Sequence, residues 1–412
     1  MAGPTVTAYN AGVGQPIYAG YWPGGRLSGG VSLDNTMPAG GLLTQQSMLS
    51  GVVQLDSVAP AGTVQGYINP AWLSGKPLNE WFTIASTSGA GGATVFAFSG
   101  FTVRDDTSEI MIAAAGGHFD SSDNRVVSLD LRQDSPSWTT RMSASASVQI
   151  DVSRYADGKP TSRHTYYSMQ WCPPRSRLLL QGVQFAYGNA NTFSTFEAFN
   201  PATNVWEAVN YLADIPAGNY GAARDNNGNT ISQAGIRKWT QATDTFSAAI
   251  SSPSGTSATQ VRFPWAYDPT RTQWFGLAYA DGQGDTSWGA FIRGVKMSNS
   301  GLTQVAVTFN ASAALTQLGA DAPTYAAMVY DTDNDRFLFC SDQTGRAGVI
   351  YVITPNATSV WDVSILSQGG GSVTPAVVGS SGLCARFQHV PAYKGVVMMP
   401  TTGADLYFMR LA

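Results

Sequence analysis

Short apolar runs alternate with polar, glycine-containing turns along most of this chain. The stretch 110–138 is typical: an apolar run over 110–115 ends at Gly116 and Gly117, and a polar loop leads to a second run over 126–131. A tight turn and Trp138 follow that second run. Apolar runs of this length, bounded by glycine and other turn-forming residues, are typical of β-strands. The pattern therefore predicts an all-β fold in which one strand-and-turn plan is repeated.

The turn between the first two strands of each repeat has a constant feature. In six copies its third position holds aspartate or proline, which favour turns through local hydrogen bonds or a preset φ. A periodic plan of this kind predicts six small sheets over residues 79–412. The six third positions are Asp105, Pro173, Asp225, Asp268, Asp331 and Pro391.

The outer strand of most repeats opens on an aromatic residue. The sixth repeat ends at the C-terminus without this strand, whereas a strand-like segment containing Trp81 stands alone before the first repeat. An open ring of sheets would leave two unpaired edges. We therefore expect the 80–84 segment to pair with the last strand and close the ring. The aromatic positions of the other repeats are Trp138, Trp206, Phe246 and Trp361.

The glycine pair followed by an aromatic residue resembles the motif of kelch-type β-propellers, the fold also used by the central domain of galactose oxidase. Gly116 and Gly117 with Trp138, and Gly182 with Trp206, carry the resemblance over about residues 79–412. The resemblance implies a six-bladed propeller in which the aromatic residue packs between adjacent blades. The residues expected to have a structural role are Trp81, Gly116, Gly117, Trp138, Trp206, Phe246 and Trp361.

Residues 1–78 differ from the rest of the chain, because they are rich in glycine and proline and show no repeat. This composition predicts an extended arm that docks on a neighbouring subunit rather than a domain that folds alone. Apolar residues such as Leu42, Leu43 and Val52 argue against a purely solvated tail. The expected division is thus an arm over 1–78 and a propeller over 79–412.

Charge limits the classes of partner. Only 12% of the residues are charged, the net charge is −4, and no cluster of lysine or arginine occurs. Recognition of nucleic acid through its phosphates is therefore not expected. The chain shows no basic segment followed by an apolar core at its start and no apolar stretch of membrane-spanning length. We accordingly expect no signal peptide and no membrane contact.

Candidate metal ligands do not form a known pattern. The three cysteines lack metal-binding spacing, and we expect buried thiols. None of His118, His164 and His389 follows a tyrosine, so the copper site suggested by the resemblance to galactose oxidase is not predicted. The segment from Asp331 resembles the start of a calcium loop, but Arg336 stands where glycine is required. We interpret it as a turn and predict neither a metal nor another cofactor.

Aromatic residues in the loops are the candidates for binding. Aromatic rings beside amide side chains can stack on sugars or anchor a protein partner. No pair of carboxylates is nominated for glycoside hydrolysis by the sequence, and no catalytic residue is predicted. The candidate binding residues are Tyr166, Tyr167, Phe185, Tyr187 and Trp288.

These observations favour one functional hypothesis over another. The first is a non-enzymatic structural or attachment component of a virus particle, such as a bacteriophage tail or surface protein, present in many copies. Its partners would be other virion subunits, through residues 1–78, and a host glycan or receptor. Low charge without a signal peptide motivates this hypothesis. The alternative is a carbohydrate-active enzyme or a lectin-like module on a propeller scaffold; a cytoplasmic kelch adaptor is less favoured, because such adaptors carry more surface charge.

Overall fold

The chain divides into two compact units, Met1–Pro70 and Ala71–Ala412. In the first, β1 (Thr7–Tyr9) pairs with β2 (Pro16–Tyr18), and β3 (Gly20–Tyr21) pairs with β4 (Leu27–Ser28). The docking role predicted for this region stays a prediction. The computed structural model describes residues 7–9, 16–18, 20–21, 27–28, 69–92, 98–117, 119–185, 187–188, 192–207, 223–232, 237–250, 256–257, 264–280, 292–321, 325–341, 345–378 and 382–412.

The second unit begins eight residues before the boundary expected at 78/79. Its first residues form a 3₁₀ turn, Ala71–Leu73, in which Leu73 is buried. The Trp72 ring packs edge-on against Phe408 and Tyr393, with centroid distances of 5.1 and 5.7 Å. Trp72 and Leu73 therefore pack in this unit's core, while the division into a docking arm and a propeller stays a prediction.

The second unit is built from β-strands, and its described residues contain one short α-helix. Further 3₁₀ turns cover Ser88–Gly92, Pro173–Arg175 and Pro391–Tyr393. No helix in the described part of the chain is long and apolar enough to cross a membrane. The elements are β5 (Trp81–Ile84), β6 (Thr102–Val103), β7 (Glu109–Ala113), β8 (Val126–Asp130), β9 (Trp138–Met142), β10 (Met169–Cys172), β11 (Arg177–Phe185), β12 (Thr192–Asn200), β13 (Val205–Trp206), β14 (Ala223–Arg224), β15 (Thr230–Ser232), β16 (Arg237–Thr240), β17 (Thr245–Phe246), β18 (Thr256–Ser257), β19 (Trp265–Asp268), β20 (Gln273–Ala280), β21 (Ile292–Ser298), β22 (Gln304–Phe309), α1 (Ala313–Ala320), β23 (Ala327–Asp331), β24 (Arg336–Cys340), β25 (Ile350–Thr354), β26 (Val360–Ile365), β27 (Phe387–Val390), β28 (Gly395–Met398) and β29 (Leu406–Arg410).

Several four-stranded antiparallel sheets make up the fold, as an all-β chain requires. Their strand orders are β6-β7-β8-β9, β10-β11-β12-β13, β14-β15-β16-β17 and β27-β28-β29-β5. A larger sheet contains two further antiparallel runs, β19 to β22 and β23 to β26, which a parallel contact joins between β22 and β26. The prediction of an all-β fold is confirmed.

Burial along the strands explains the sequence pattern. All five residues of β7 and of β23 are buried, and apart from Glu109 and Asp331 these strands read as apolar runs, as expected for strands covered on both faces. β26 instead alternates between exposed and buried residues, as expected for a strand with one face in solvent. Strand position within a sheet therefore decides which periodicity the sequence shows.

The segment at 80–84 forms the edge partner of the last strand, as predicted. Trp81 of β5 lies opposite Met409 of β29, and Thr83 lies opposite Tyr407. The Trp81 side chain is fully buried, and its indole nitrogen donates to the Gly348 carbonyl at 2.8 Å. This pairing joins the start of the second unit to its end and covers an edge that would otherwise be unpaired.

The repeated turns use the predicted chemistry. The Asp225 carboxylate accepts backbone bonds from Asn227 (2.9 Å) and Asn229 (2.8 Å). Pro173 and Pro391 each open a 3₁₀ turn that ends in a left-handed residue, Ser176 or Lys394. The aspartate side chain accepts hydrogen bonds from the turn's own backbone, and the proline ring fixes φ. Both stabilise a tight turn locally, which is why aspartate and proline alternate at its third position.

The residues predicted to be structural lie mostly in the core. Trp81, Trp206 and Trp361 are buried, whereas Trp138 and Phe246 are half-buried. The Trp138 indole donates to the Thr87 carbonyl at 2.7 Å. These contacts agree with a packing role. Further fully buried tryptophans, for which the sequence predicted no structural role, are Trp171, Trp239 and Trp274.

One ion pair joins the two antiparallel runs of the larger sheet and gives the fold a pH dependence. The Arg271 guanidinium contacts both oxygens of Asp335, at 2.7 and 2.6 Å, and reaches Asp268 at 3.1 Å. Hydrogen bonding from Arg271 lowers the pKa of Asp335 from the ordinary value of 3.8 to about 2. Since the folded pKa is depressed, the carboxylate stabilises the fold above about pH 4, and this contribution is lost as the pH falls towards 2.

We expect Asp335→Asn to lower the free energy of unfolding by about 0.5–1 kcal/mol at pH 6, because the carboxylate is half-exposed and the pair is screened. Near pH 2 about half of the wild-type carboxylate is protonated, so the difference should be clearly smaller than at pH 6. Urea denaturation of both proteins at pH 6 and pH 2 measures it. A difference that is the same at both pH values would contradict this assignment.

Candidate functional site

A folded-back loop after β7 places an exposed carboxylate. Gly117 has a φ of +87°, and a Cβ there would collide with the Asp120 carboxylate. At Gly116 a Cβ would lie 2.6 Å from the Asp123 carbonyl oxygen. The glycine pair therefore lets the loop turn back on itself, which no residue with a Cβ would allow without a shift.

The carboxylate placed in this way contacts a buried imidazole. The Nε2 atom of His164 lies 3.3 Å from Asp120 Oδ2, and its Nδ1 atom lies 3.4 Å from the Tyr166 hydroxyl. The His164 side chain is 5% exposed, whereas that of Asp120 is 38% exposed. His164 thus connects an exposed carboxylate to a phenol in the interior.

Aromatic rings surround this histidine. The Phe98 ring centroid lies 4.9 Å from that of His164 and 4.7 Å from that of Tyr325. Tyr325 in turn stacks on Tyr166 at 6.0 Å. Phe119, which directly precedes Asp120, is 64% exposed. We call Phe98, Phe119, Asp120, His164, Tyr166 and Tyr325 the Asp120 site.

The backbone of this site is strained. Phe98, Tyr166 and Tyr325 have φ values of +59°, +43° and +59°. Bulky residues seldom adopt this left-handed region, and each instance costs on the order of 1–3 kcal/mol. The Tyr166 amide donates to the Phe98 carbonyl at 2.7 Å, and the Cys384 amide donates to the Tyr325 carbonyl at 2.6 Å. Bonds between successive loops therefore hold the strained residues.

A cavity of about 220 Å³ lies beside the site. Residues from β6, β10, β14, β19, β23 and β27, the first strands of the six repeats, all line it. Tyr167, Cys384 and Ala385 line the cavity and also pack with Tyr166. These residues precede their strands, so the Asp120 site and this part of the cavity share a wall.

The cavity is also lined by charged or titratable side chains in or just after these strands: Asp105, Arg224 and His389. Asp105 pairs with Arg224 at 2.6 Å, and the two residues come from different sheets. His389 Nε2 lies 3.8 Å from Asp331 Oδ1. Burial lowers the pKa of His389, so its imidazole is neutral at neutral pH. Asp331, Asp333 and His389 each offer one atom that can bind a metal, all within 4.8 Å of one another.

The structure brings together only part of the predicted binding set. Tyr166 and Tyr167 are 7% and 3% exposed, so neither ring offers a face for stacking on a ligand in solvent. Tyr187 is half-buried, and its amide donates to the Ser162 carbonyl at 2.8 Å. Phe185 lies in β11, and Trp288 lies outside the described residues. A binding role for these residues stays a prediction.

Sequence reasoning missed Phe98, Phe119, Asp120 and Tyr325. Phe119 and Asp120 stand directly after the glycine pair, which is a usable signal, since tight turns often present functional side chains. Phe98 and Tyr325 precede the first strands of their repeats, and nothing in their local sequence separates them from core aromatics.

Comparison with known proteins shows no family: no family model and no curated protein matches the chain. Among solved structures, the chain is similar to a Penicillium chrysogenum α-L-arabinanase complexed with arabinobiose, with 10% identity, a TM-score of 0.45, and coverage of 81% of this chain and 98% of that one. It is similar to the GH93 α-L-arabinofuranosidase of Fusarium graminearum, with 9% identity, a TM-score of 0.44, and coverage of 80% and 98%. A chain of the mitotic checkpoint complex has 8% identity, a TM-score of 0.43, and coverage of 81% and 94%.

These similarities correct one prediction and leave two without support. The chain has an all-β fold with several four-stranded sheets. The prediction that it is not an enzyme is wrong as an exclusion: an α-L-arabinanase and an α-L-arabinofuranosidase are among the solved structures to which the chain is similar. Neither the kelch subtype nor a bacteriophage origin is supported by the comparisons.

Proposed function

We propose that this chain is a carbohydrate-active protein that binds a saccharide at the Asp120 site. One observation carries the proposal: three aromatic residues with left-handed backbones support a histidine that contacts an exposed carboxylate. Strained residues cluster at binding and catalytic sites, where the surrounding structure holds them in place. A purely structural loop has no need to sustain that cost at three bulky residues.

The chemistry of the site suits a sugar. A pyranose or furanose ring has an apolar face, which packs on aromatic rings, and hydroxyl groups, which need hydrogen-bond acceptors. Phe119 and Asp120 offer both features side by side and are exposed. His164 orients the carboxylate from behind, and the half-buried ring of Phe98 packs on His164.

If the bound sugar is hydrolysed, we propose Asp120 as the carboxyl group that acts on the glycosidic bond. Hydrolysis of this kind uses two carboxyl groups. Asp123 is the next acidic residue of the same loop, and its Oδ1 atom accepts from Arg125 Nε at 2.9 Å. Asp120 would then donate a proton to the leaving oxygen, and Asp123 would act as the nucleophile or as the base that activates water.

We further propose that the six four-stranded runs close into a six-bladed propeller. Contacts between first strands support this: β6 touches β10 and β27, β19 touches β14 and β23, and β23 touches β27. The pairing of β5 with β29 supplies the fourth strand of the last sheet. The kelch subtype rests on the sequence motif alone, Gly116 and Gly117 with Trp138 and Gly182 with Trp206.

The location of the protein is a separate proposal. Low charge and the glycine-rich residues 1–78 support a place in a virus particle, with that region docking on other virion subunits in a multi-copy assembly. A glycan site is compatible with such a location, since attachment to a host requires recognition of its surface. Electron microscopy of particles labelled for this chain would test it.

The test of the saccharide site uses the full chain on a glycan array, followed by a turnover assay on each bound glycan. Asp120→Asn and Phe119→Ala are expected to weaken binding about tenfold or more, because each removes a contact at the centre of the site. If the glycan is cleaved, Asp120→Asn should lower kcat at least about 100-fold.

Asp106→Asn and Val205→Ala are the matched controls, since both side chains are exposed and lie outside the site. They should bind as the wild type does. Binding without turnover would establish a lectin-like module. An array with no bound glycan, or Asp120 and Phe119 variants that bind normally, would refute the proposal.

A further inference from the structure

Two sheets bring three potential metal ligands together beside the cavity. Asp331 ends β23 and Asp333 lies in the turn that follows, whereas His389 lies in β27 of the neighbouring sheet. One oxygen of each carboxylate and one imidazole nitrogen lie within 4.8 Å of one another. The contact between β23 and β27 sets this distance, so the arrangement does not depend on the turn alone.

The two oxygens of Asp331 have different surroundings. Oδ2 accepts from the Asn334 amide at 2.8 Å and from Arg336 Nε at 2.9 Å. Among the described residues, Oδ1 accepts only two long backbone hydrogen bonds, at 3.2 and 3.3 Å, from the amides of Asp333 and Asn334. Carboxylates that bind metal ions usually accept hydrogen bonds at one oxygen, which fixes their orientation, and use the other oxygen for the ion. The less saturated oxygen, Oδ1, is the one nearest His389.

His389 points a buried nitrogen at that oxygen without bonding to it. Its side chain is 8% exposed, and Nε2 has no hydrogen-bond partner among the described residues. The 3.8 Å to Asp331 Oδ1 is too long for a hydrogen bond. A buried polar atom left in this state costs about 1–3 kcal/mol, which a bound ligand would relieve.

The separation suits two ligands of one ion. Zinc bound to nitrogen at about 2.0–2.1 Å and to carboxylate oxygen at about 2.0–2.2 Å in a tetrahedron places its ligands roughly 3.4 Å apart. The observed 3.8 Å needs only a small contraction, and the exposed Asp333 can adjust to complete the set. His389 lines the cavity, which supplies an entry path and room for a water as fourth ligand.

We propose that Asp331, Asp333 and His389 bind a divalent transition-metal ion of the Zn²⁺ type. Two carboxylates balance the charge of the ion, and the imidazole favours a transition metal over Ca²⁺ or Mg²⁺, which prefer oxygen ligands alone. The site differs from the calcium loop suggested by the spacing of the aspartates, because its third ligand comes from another sheet. It lies apart from the Asp120 site and does not depend on saccharide binding.

The test uses the full, untagged chain after treatment with EDTA, with Zn²⁺ and Co²⁺ as the probes. Calorimetric titration should detect Zn²⁺ binding, and Co²⁺ should produce visible absorption bands of a low-coordinate site. Zn²⁺ at about 100 times its Kd should raise the melting temperature by roughly 4 °C. Asp333→Asn should weaken Zn²⁺ binding at least about tenfold and His389→Gln about 100-fold.

Asp333→Asn keeps the test independent of folding, because this residue is exposed and its substitution leaves the Asp331 turn intact. His164→Gln is the matched control, since it removes the other described histidine that contacts a carboxylate, and it should bind Zn²⁺ as the wild type does. Zn²⁺ binding that persists in both ligand variants, or no Zn²⁺ binding at all, would overturn the proposal. A larger stabilisation by Ca²⁺ than by Zn²⁺ would overturn the assignment to a transition metal.

Discussion

Deletion of residues 79–87 is expected to abolish cooperative unfolding of the second unit and to cause aggregation. The deletion removes β5 and leaves the backbone of β29 unpaired along one edge. Four of the five residues of β29 are buried, so the exposed edge would also be apolar. Such an edge is a template for pairing with other chains. Calorimetry and light scattering of the purified proteins measure both effects.

Two substitutions in β5 measure the contribution of side-chain packing while the backbone pairing with β29 is kept. Trp81→Ala removes a fully buried side chain and should lower the free energy of unfolding by about 3–5 kcal/mol while the chain stays folded. Thr83→Ala changes an exposed position of the same strand and should cost less than about 0.5 kcal/mol. A deletion variant that melts as sharply as the wild type would show that β5 is dispensable.

The pairing of β5 with β29 was predictable, because the missing strand of the last repeat leaves a gap in the sequence pattern. The last repeat lacks an aromatic strand, and the sequence supplies one ahead of the first repeat. The turns were predictable for another reason, since the Asp225 carboxylate and the Pro173 ring act on residues within the same turn. Structural features that depend on residues close in sequence, or on a repeat with regular spacing, can be predicted without a structure.

The Asp120 site was not predictable, because loops far apart in sequence build it. Phe98, His164 and Tyr325 precede the first strands of three different sheets, and only the packing of these strands brings their rings together. Tyr166 and Tyr167 suggested exposed platforms because they follow polar residues in a loop. That loop turns inward: Tyr166 adopts a left-handed backbone, and the Tyr167 hydroxyl donates to the Ala326 carbonyl at 2.6 Å.

Asp331 has a local role in its own turn and a proposed second role in a metal site with a residue of another sheet. Its side chain caps the turn through Asn334 and Arg336, and this local chemistry accounts for the repeated aspartate. The proposed third ligand, His389, belongs to the next sheet and has no fixed spacing from the turn. A motif defined by spacing within one loop therefore misses it.

Closure of the fold also bears on the strained site. Three left-handed aromatic residues cost on the order of several kcal/mol together, and they persist only if their surroundings leave no relaxed alternative. The inter-loop bonds of Tyr166 to Phe98 and of Cys384 to Tyr325 provide that restraint. Both bonds connect loops of neighbouring first strands, so loss of the closing strand is expected to relax the site before the sheets themselves separate.

Trp361→Ala is expected to destabilise the second unit by about 3–5 kcal/mol, as much as Trp81→Ala. Trp361 is fully buried in β26, stacks on Phe337 at 6.0 Å with an interplanar angle of 12°, and lies 4.7 Å from Phe275 of the neighbouring run. Its removal leaves a cavity between two antiparallel runs that a parallel strand pair joins. Because both runs lose packing, neither can collapse fully into the space.

Urea denaturation of Trp361→Ala, Trp361→Phe and Trp138→Ala measures how far this cost depends on burial between sheets. Trp361→Phe keeps a ring against Phe337 and should lose about 1–2 kcal/mol, since less volume is removed. Trp138 is half-buried, so Trp138→Ala should cost less than Trp361→Ala despite the same change in chemistry. Equal losses at Trp138 and Trp361 would contradict the packing of Trp361 between two runs, because burial would then have no influence on the cost.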